Sequence, residues 1–106
     1  MIDYFPDSWV VVKVKSTGVF KILAGWSGGY SNADSWQTND GITKVEDGEE
    51  EWRFYIEDSS CYYLPKEGYS MRRSVSVIYN KIETDVELLP KDTDWTTIDW
   101  ELDKVL

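Results

Sequence analysis

A single cysteine, Cys61, and the absence of histidine narrow the chemistry open to this 106-residue chain. Without imidazole the usual general base, the usual zinc ligand and the ordinary pH switch are missing. One cysteine allows neither an intramolecular disulfide nor a thiolate metal cluster. Cys61 sits in the apolar stretch CYYLP, the setting of a buried, inert thiol rather than a nucleophile. Carboxylates are the remaining resource. Glu57-Asp58 and Glu49-Glu50-Glu51 could attract Mg²⁺. Adjacent acids on a strand point to opposite faces, however, and acids at a turn usually face water. Pro6-Asp7 opens like a restriction-type nuclease motif, but no Glu-x-Lys or Asp-x-Lys follows it. Gly25-Trp26-Ser27-Gly28-Gly29-Tyr30 has the glycine content of a phosphate loop. Such a loop needs a helix after it and preferably a lysine, and Ser31-Asn32-Ala33-Asp34 supplies neither. The expectation is therefore no catalytic residues, no metal and no cofactor.

Binding chemistry is better represented. Trp26, Tyr30 and Trp36 bracket the glycine-rich loop. Tryptophan and tyrosine dominate interface hot spots because they bury much area at low entropy cost. Trp26 and Trp36 also fit as core residues at strand ends, which leaves Tyr30 the best placed for exposure. Charge is segregated. The formal net charge is −9; residues 36–69 carry nine acids against three bases, and residues 91–106 five against two. Glu46, Asp47, Glu49, Glu50 and Glu51 form the densest cluster. A surplus of this sign repels nucleic acid and anionic membrane and favours a basic protein partner, if it does more than keep the chain soluble. Distributed carboxylates on a rigid sheet could also imitate duplex phosphate in a basic groove.

The elements that must position these groups are mostly strands. Aromatic residues make up 15% of the chain, and such side chains suit a pleated, half-buried surface. SWVVVKV (residues 8–14) and GVFKILAGW (18–26) predict a hairpin across Ser16-Thr17-Gly18, with Phe20, Ile22, Ala24 and Trp26 on one face. Residues 36–47 predict a third strand interrupted at Asn39-Asp40-Gly41. A fourth, EWRFYIED, alternates Trp52, Phe54 and Ile56 with Arg53 and Tyr55; a fifth covers residues 61–65. After Gly68 the period changes. Met71, Val75, Ile78, Tyr79 and Ile82 mark one face of a helix over about 70–83, with Ser70 as N-cap. Residues 91–106 fit a short helix through Trp95, Ile98, Leu102 and Val105, capped by Asp92 or Thr93, or a strand through Ile98, Trp100 and Leu102. The expected architecture is α+β: a small, strongly bent antiparallel sheet or SH3-like barrel of about five strands, followed by one helix. Residues 1–90 would form the domain and 91–106 an acidic tail packed on it. The start MIDYFPDSW lacks a basic, apolar signal segment, and no apolar run approaches the length of a membrane span, so a cytoplasmic location is expected.

PDSWVVVKV at 6–14 and FKILAGWSGGYSNADSWQTNDGITKVED at 20–47, together with Gly68-Tyr69-Ser70-Met71, resemble small uncharacterised proteins of tailed phages that infect marine cyanobacteria. The resemblance spans roughly residues 6–72 and carries no catalytic residues with it. It implies a factor that works in the host cytoplasm by binding and redirecting a host protein. The leading expectation is a non-enzymatic protein-binding accessory factor, in its sharper form an acidic inhibitor of a nucleic-acid-binding enzyme. A virion structural or assembly component is the second class, and a small carboxylate-dependent hydrolase or nuclease the third.

Overall fold

The computed structural model describes residues 2–26, 35–39, 41–71, 73–98 and 100. Ser8–Val14 (β2) and Phe20–Trp26 (β3) form the expected antiparallel hairpin, with Val11 opposite Ile22 and Trp9 opposite Ala24. Gly18 takes a left-handed backbone at the turn (φ 76°) and donates its N–H to the Val14 carbonyl, a conformation that costs glycine nothing. Ser35–Asn39 (β4) pairs with β3, and Val86–Leu88 (β8) pairs with β2, both antiparallel. The first sheet thus has the order β4-β3-β2-β8. The second, β1-β7-β6-β5, contains Asp3–Tyr4 (β1), Ile42–Asp47 (β5), Glu51–Ile56 (β6) and Cys61–Pro65 (β7). Its β1 runs parallel to β7 and its other pairs are antiparallel.

Two four-stranded sheets replace the single sheet or closed barrel expected from sequence. The cause lies at Asn39-Asp40-Gly41. β4 ends at Asn39 in the first sheet and β5 begins at Ile42 in the second, so the expected third strand is two strands. Five expected strands become eight among the described residues. β1 and β8 are only two and three residues long, too short for alternation to reveal them.

Period-two alternation explains the core. Trp9, Val11, Ile22 and Ala24 from the first sheet meet Ile42, Phe54, Ile56, Tyr62 and Leu64 from the second. The intervening residues of β2, Val10 and Val12, face the other way. With Leu23 and Val86 they form a second cluster that receives Val75 of the helix, with Tyr79, Ile82 and Met71 around it. β2 is therefore covered on both faces, which is why SWVVVKV is almost continuously apolar. The helix α1 spans Arg73–Ile82. Ser70 is not its N-cap. The Ser70 N–H donates to the Trp9 carbonyl (3.1 Å), and Tyr69 bridges to Trp9, so the chain is still held to β2 where a cap was expected.

Residues 91–98 form turns where a short helix was expected; Leu102 and Val105, the rest of that helical face, lie outside the described residues. Asp94 organises the turns: its carboxylate accepts from the Thr96 N–H (3.1 Å) and hydroxyl (2.6 Å), and its carbonyl from the Thr97 hydroxyl (3.0 Å). This local alternative competes with helix, as short polar side chains do. It delivers Trp95, 1% exposed, against Trp9, Phe54 and Tyr69 at centroid distances of 5.4, 5.9 and 5.7 Å. Trp100 follows, against Phe20 and Phe54. Truncating such a side chain leaves a cavity that the surroundings fill poorly. Trp95→Ala should cost about 3–5 kcal/mol in denaturant unfolding. A change below about 1 kcal/mol would mean that this segment does not belong to the cooperative core.

Candidate partner-binding face

The second sheet turns one side to the core and the other to solvent. The register assigns the residues: Trp52, Phe54 and Ile56 go inward, while Glu51, Arg53 and Tyr55 go outward. On the neighbouring strands Lys44 and Glu46 of β5, and Cys61 and Tyr63 of β7, share the outward side. Asp3 joins them opposite Cys61. No described element covers this face.

Its polar residues bond to one another. The Tyr55 hydroxyl donates to Glu46 Oε1 (2.7 Å), Lys44 lies 3.6 Å from Glu46 Oε2, and Arg53 reaches both Glu46 (4.0 Å) and Glu51 (3.6 Å). The Lys44 ammonium also lies 4.8 Å from the Tyr55 ring centroid. The hydrogen bond from Tyr55, with help from Lys44 and Arg53, holds the Glu46 carboxyl below its ordinary range, and the same bond pushes the Tyr55 phenol up. At the end of the hairpin Lys66 pairs with Asp47 and lies over the Trp52 ring, 4.6 Å from its centroid. The Lys66 N–H also donates to the Glu50 carbonyl (2.9 Å), and the Gly48 N–H to the Glu51 carbonyl (2.9 Å). A Cβ at Gly48 would come within 2.5 Å of the Glu51 carbonyl oxygen, so the tip closes only around glycine.

The five acids singled out by sequence are thus not equivalent. Glu46, Asp47 and Glu51 are paired with cations of their own sheet or its flank. Glu49 and Glu50 are exposed at the tip, with no side-chain partner among the described residues. Of the three aromatics, Trp26 and Trp36 belong to strands of the first sheet. Trp26 ends β3, half-buried against the main core and edge-on to Tyr4. Trp36 lies on β4 opposite Gly25, but its side chain is outside the described part, and Tyr30 is outside the described residues altogether. Phe5, Tyr55 and Tyr63 also belong to this face, although the sequence did not single them out. The alternation of EWRFYI already placed Tyr55 away from the core; Phe5 gave no signal because β1 is so short.

The structure also places the groups weighed above for catalysis or metal binding. Asp58 is committed to a turn: it accepts from the Ser60 N–H (2.9 Å) and hydroxyl, which hold its carboxyl low. Among the described residues no three Cys, Asp or Glu side chains converge as a metal set. Cys61 is 3% exposed although it lies on the outward side, and burial pushes its thiol up. Native Cys61 should therefore react with iodoacetamide far more slowly than the urea-unfolded chain; equal rates would reopen the nucleophile reading. Glu46 supplies a second check. Its lowered folded value means that its contribution to stability is present above the ordinary carboxylate range and is lost as pH falls through the folded value. Tyr55→Phe should bring the Glu46 carboxyl back toward that ordinary range in a carbon-detected NMR titration. An unmoved titration would show that the hydroxyl is not what holds it.

No family model, no curated protein and no solved structure matches this chain.

Proposed function

We propose that this chain is a non-enzymatic protein-binding factor whose acidic β5–β6 hairpin docks on a basic surface of its partner. The carrying observation is the division of labour within the hairpin. Lys66, Arg53 and Lys44 tie down Asp47, Glu51 and Glu46, while Glu49 and Glu50 stand exposed at the glycine-closed tip. Held charges of one sign raise association rates with an oppositely charged partner and suppress wrong ones. The resemblance to small phage proteins fits a factor acting in the cytoplasm of a host cell. An acidic inhibitor seated in a nucleic-acid-binding groove is the sharpest version. With three of the five acids internally neutralised, such an inhibitor would present a narrow acidic point rather than a long imitation of duplex phosphate.

The test is capture of protein partners on immobilised wild-type chain and on the variant Glu49→Gln, Glu50→Gln, Glu51→Gln, at low and high salt. The expected outcome is a stoichiometric partner that wild type retains at low salt, and that both the triple variant and high salt release. The melting temperature should scarcely move, because exposed charges contribute on the order of 0–1 kcal/mol per pair. Retention indifferent to both the substitutions and salt would remove the acidic-hairpin reading.

A further inference from the structure

The outward face of the second sheet ends in an aromatic step that the acidic hairpin does not use. β1 is held to β7 by the parallel register Asp3 to Cys61 and Tyr4 to Tyr62, and by the Cys61 N–H bonding the Ile2 carbonyl (2.9 Å). Alternation then divides the side chains of β1 and of the residue after it. Tyr4 turns inward and stacks on Tyr62 (4.6 Å), whereas Phe5 lies flat on Tyr63, with centroids 4.7 Å apart and planes within 10°. Phe5 remains 63% exposed, the most exposed large apolar side chain among the described residues. Asp3 lies two residues back on the outward side, roughly 7 Å along the strand. It is exposed, and no described cation pairs with it. Lys44, Arg53 and Lys66 are already engaged by Glu46, Glu51 and Asp47.

We propose that Phe5, Tyr63 and Asp3 form a seat for an arginine side chain of a partner protein. An exposed aromatic face beside an unpaired carboxylate suits a flat cation. A guanidinium stacks on the ring through its face and forks toward the carboxylate through its edge, whereas an ammonium is a compact, strongly hydrated point charge. An anionic ligand would meet Asp3 and a chain of net charge −9. A second copy of the chain would bring the same surplus against itself. The seat rests on the protein-binding reading, but on residues separate from the hairpin tip.

The experiment is an NMR titration of the isotope-labelled chain with tetra-arginine and tetra-lysine peptides. Tetra-arginine should move the Asp3, Phe5 and Tyr63 signals and bind about 2–5-fold more tightly than tetra-lysine, the range of one exposed cation–aromatic contact. Phe5→Leu, at a site exposed enough to leave the melting temperature unchanged, should erase that preference. Asp3→Asn should weaken both peptides, with an effect that fades as salt rises. Shifts confined to residues 46–51 would overturn the seat and leave the acidic hairpin standing. Shifts at Phe5 with equal affinity for both peptides, or with no loss in Phe5→Leu, would overturn the arginine assignment. Concentration-dependent shifts at Phe5 without peptide would show a self-association surface instead. Binding of neither peptide would sink both readings.

Discussion

The Trp9 indole is the contact on which the two sheets depend. It grows from β2 in the first sheet, and its N–H donates to the carbonyl of Pro65 at the end of β7 in the second (2.7 Å). Its ring, 1% exposed, meets Phe54, Tyr69 and Trp95. One side chain thus joins the inner faces of both sheets, the segment leading to the helix and the segment beyond β8. A buried indole that lacked its acceptor would lose on the order of 1–3 kcal/mol. The polar bond therefore fixes the register of an otherwise adaptable aromatic interior. Tyr69 repeats the arrangement on a smaller scale: the Val11 N–H donates to its hydroxyl (3.3 Å), which in turn donates to the Leu89 carbonyl. Burial pushes that phenol up to about 12, so it stays a donor throughout the ordinary pH range.

Much of this was legible in the residues wherever a side-chain period ran long enough. The β2–β3 hairpin, the inward set Phe20, Ile22, Ala24 and Trp26, the alternation of β6 and the helical face through Val75, Tyr79 and Ile82 all follow from local spacing. The change of sheet at Gly41 does not. A turn triplet reads the same whether the next strand pairs with the last one or crosses to another layer, because tertiary packing decides between them. β1 was hidden for a related reason: its pairing with β7 is parallel and distant, and neither property leaves a mark in two residues. In the tail the apolar spacing fitted a helix or a strand; over residues 91–98 the Asp94 side chain favours turns, and residues 101–106 lie outside the described part.

The acidic cluster was legible as composition but not as electrostatics. Five carboxylates within six residues look uniform in sequence. Folding sorts them by which cation the neighbouring strand brings opposite: Arg53 beside Glu46 in the β5–β6 register, Lys66 carried in from beyond β7 toward Asp47, and none among the described residues for Glu49 and Glu50. The same sorting leaves Asp3, at the other edge of that sheet, without a cation among the described residues. Where the chain has spent its own cations, the face is quiet; where it has not, a partner's cations find the stronger field.

The parallel pairing of β1 with β7 also bears on how the chain assembles during synthesis. Asp3 and Tyr4 have no strand to join until Cys61 and Tyr62 have left the ribosome, and Trp9 lacks Trp95 for longer still. The β2–β3 hairpin can form from contacts close in sequence, but its edge partner β8 emerges late. Closing such long loops is slow compared with forming hairpins. Val10 and Val12 therefore wait uncovered for a helix and strand made many residues afterwards. Until then the nascent chain exposes a continuous apolar strand, the kind of surface that invites aggregation before folding is complete.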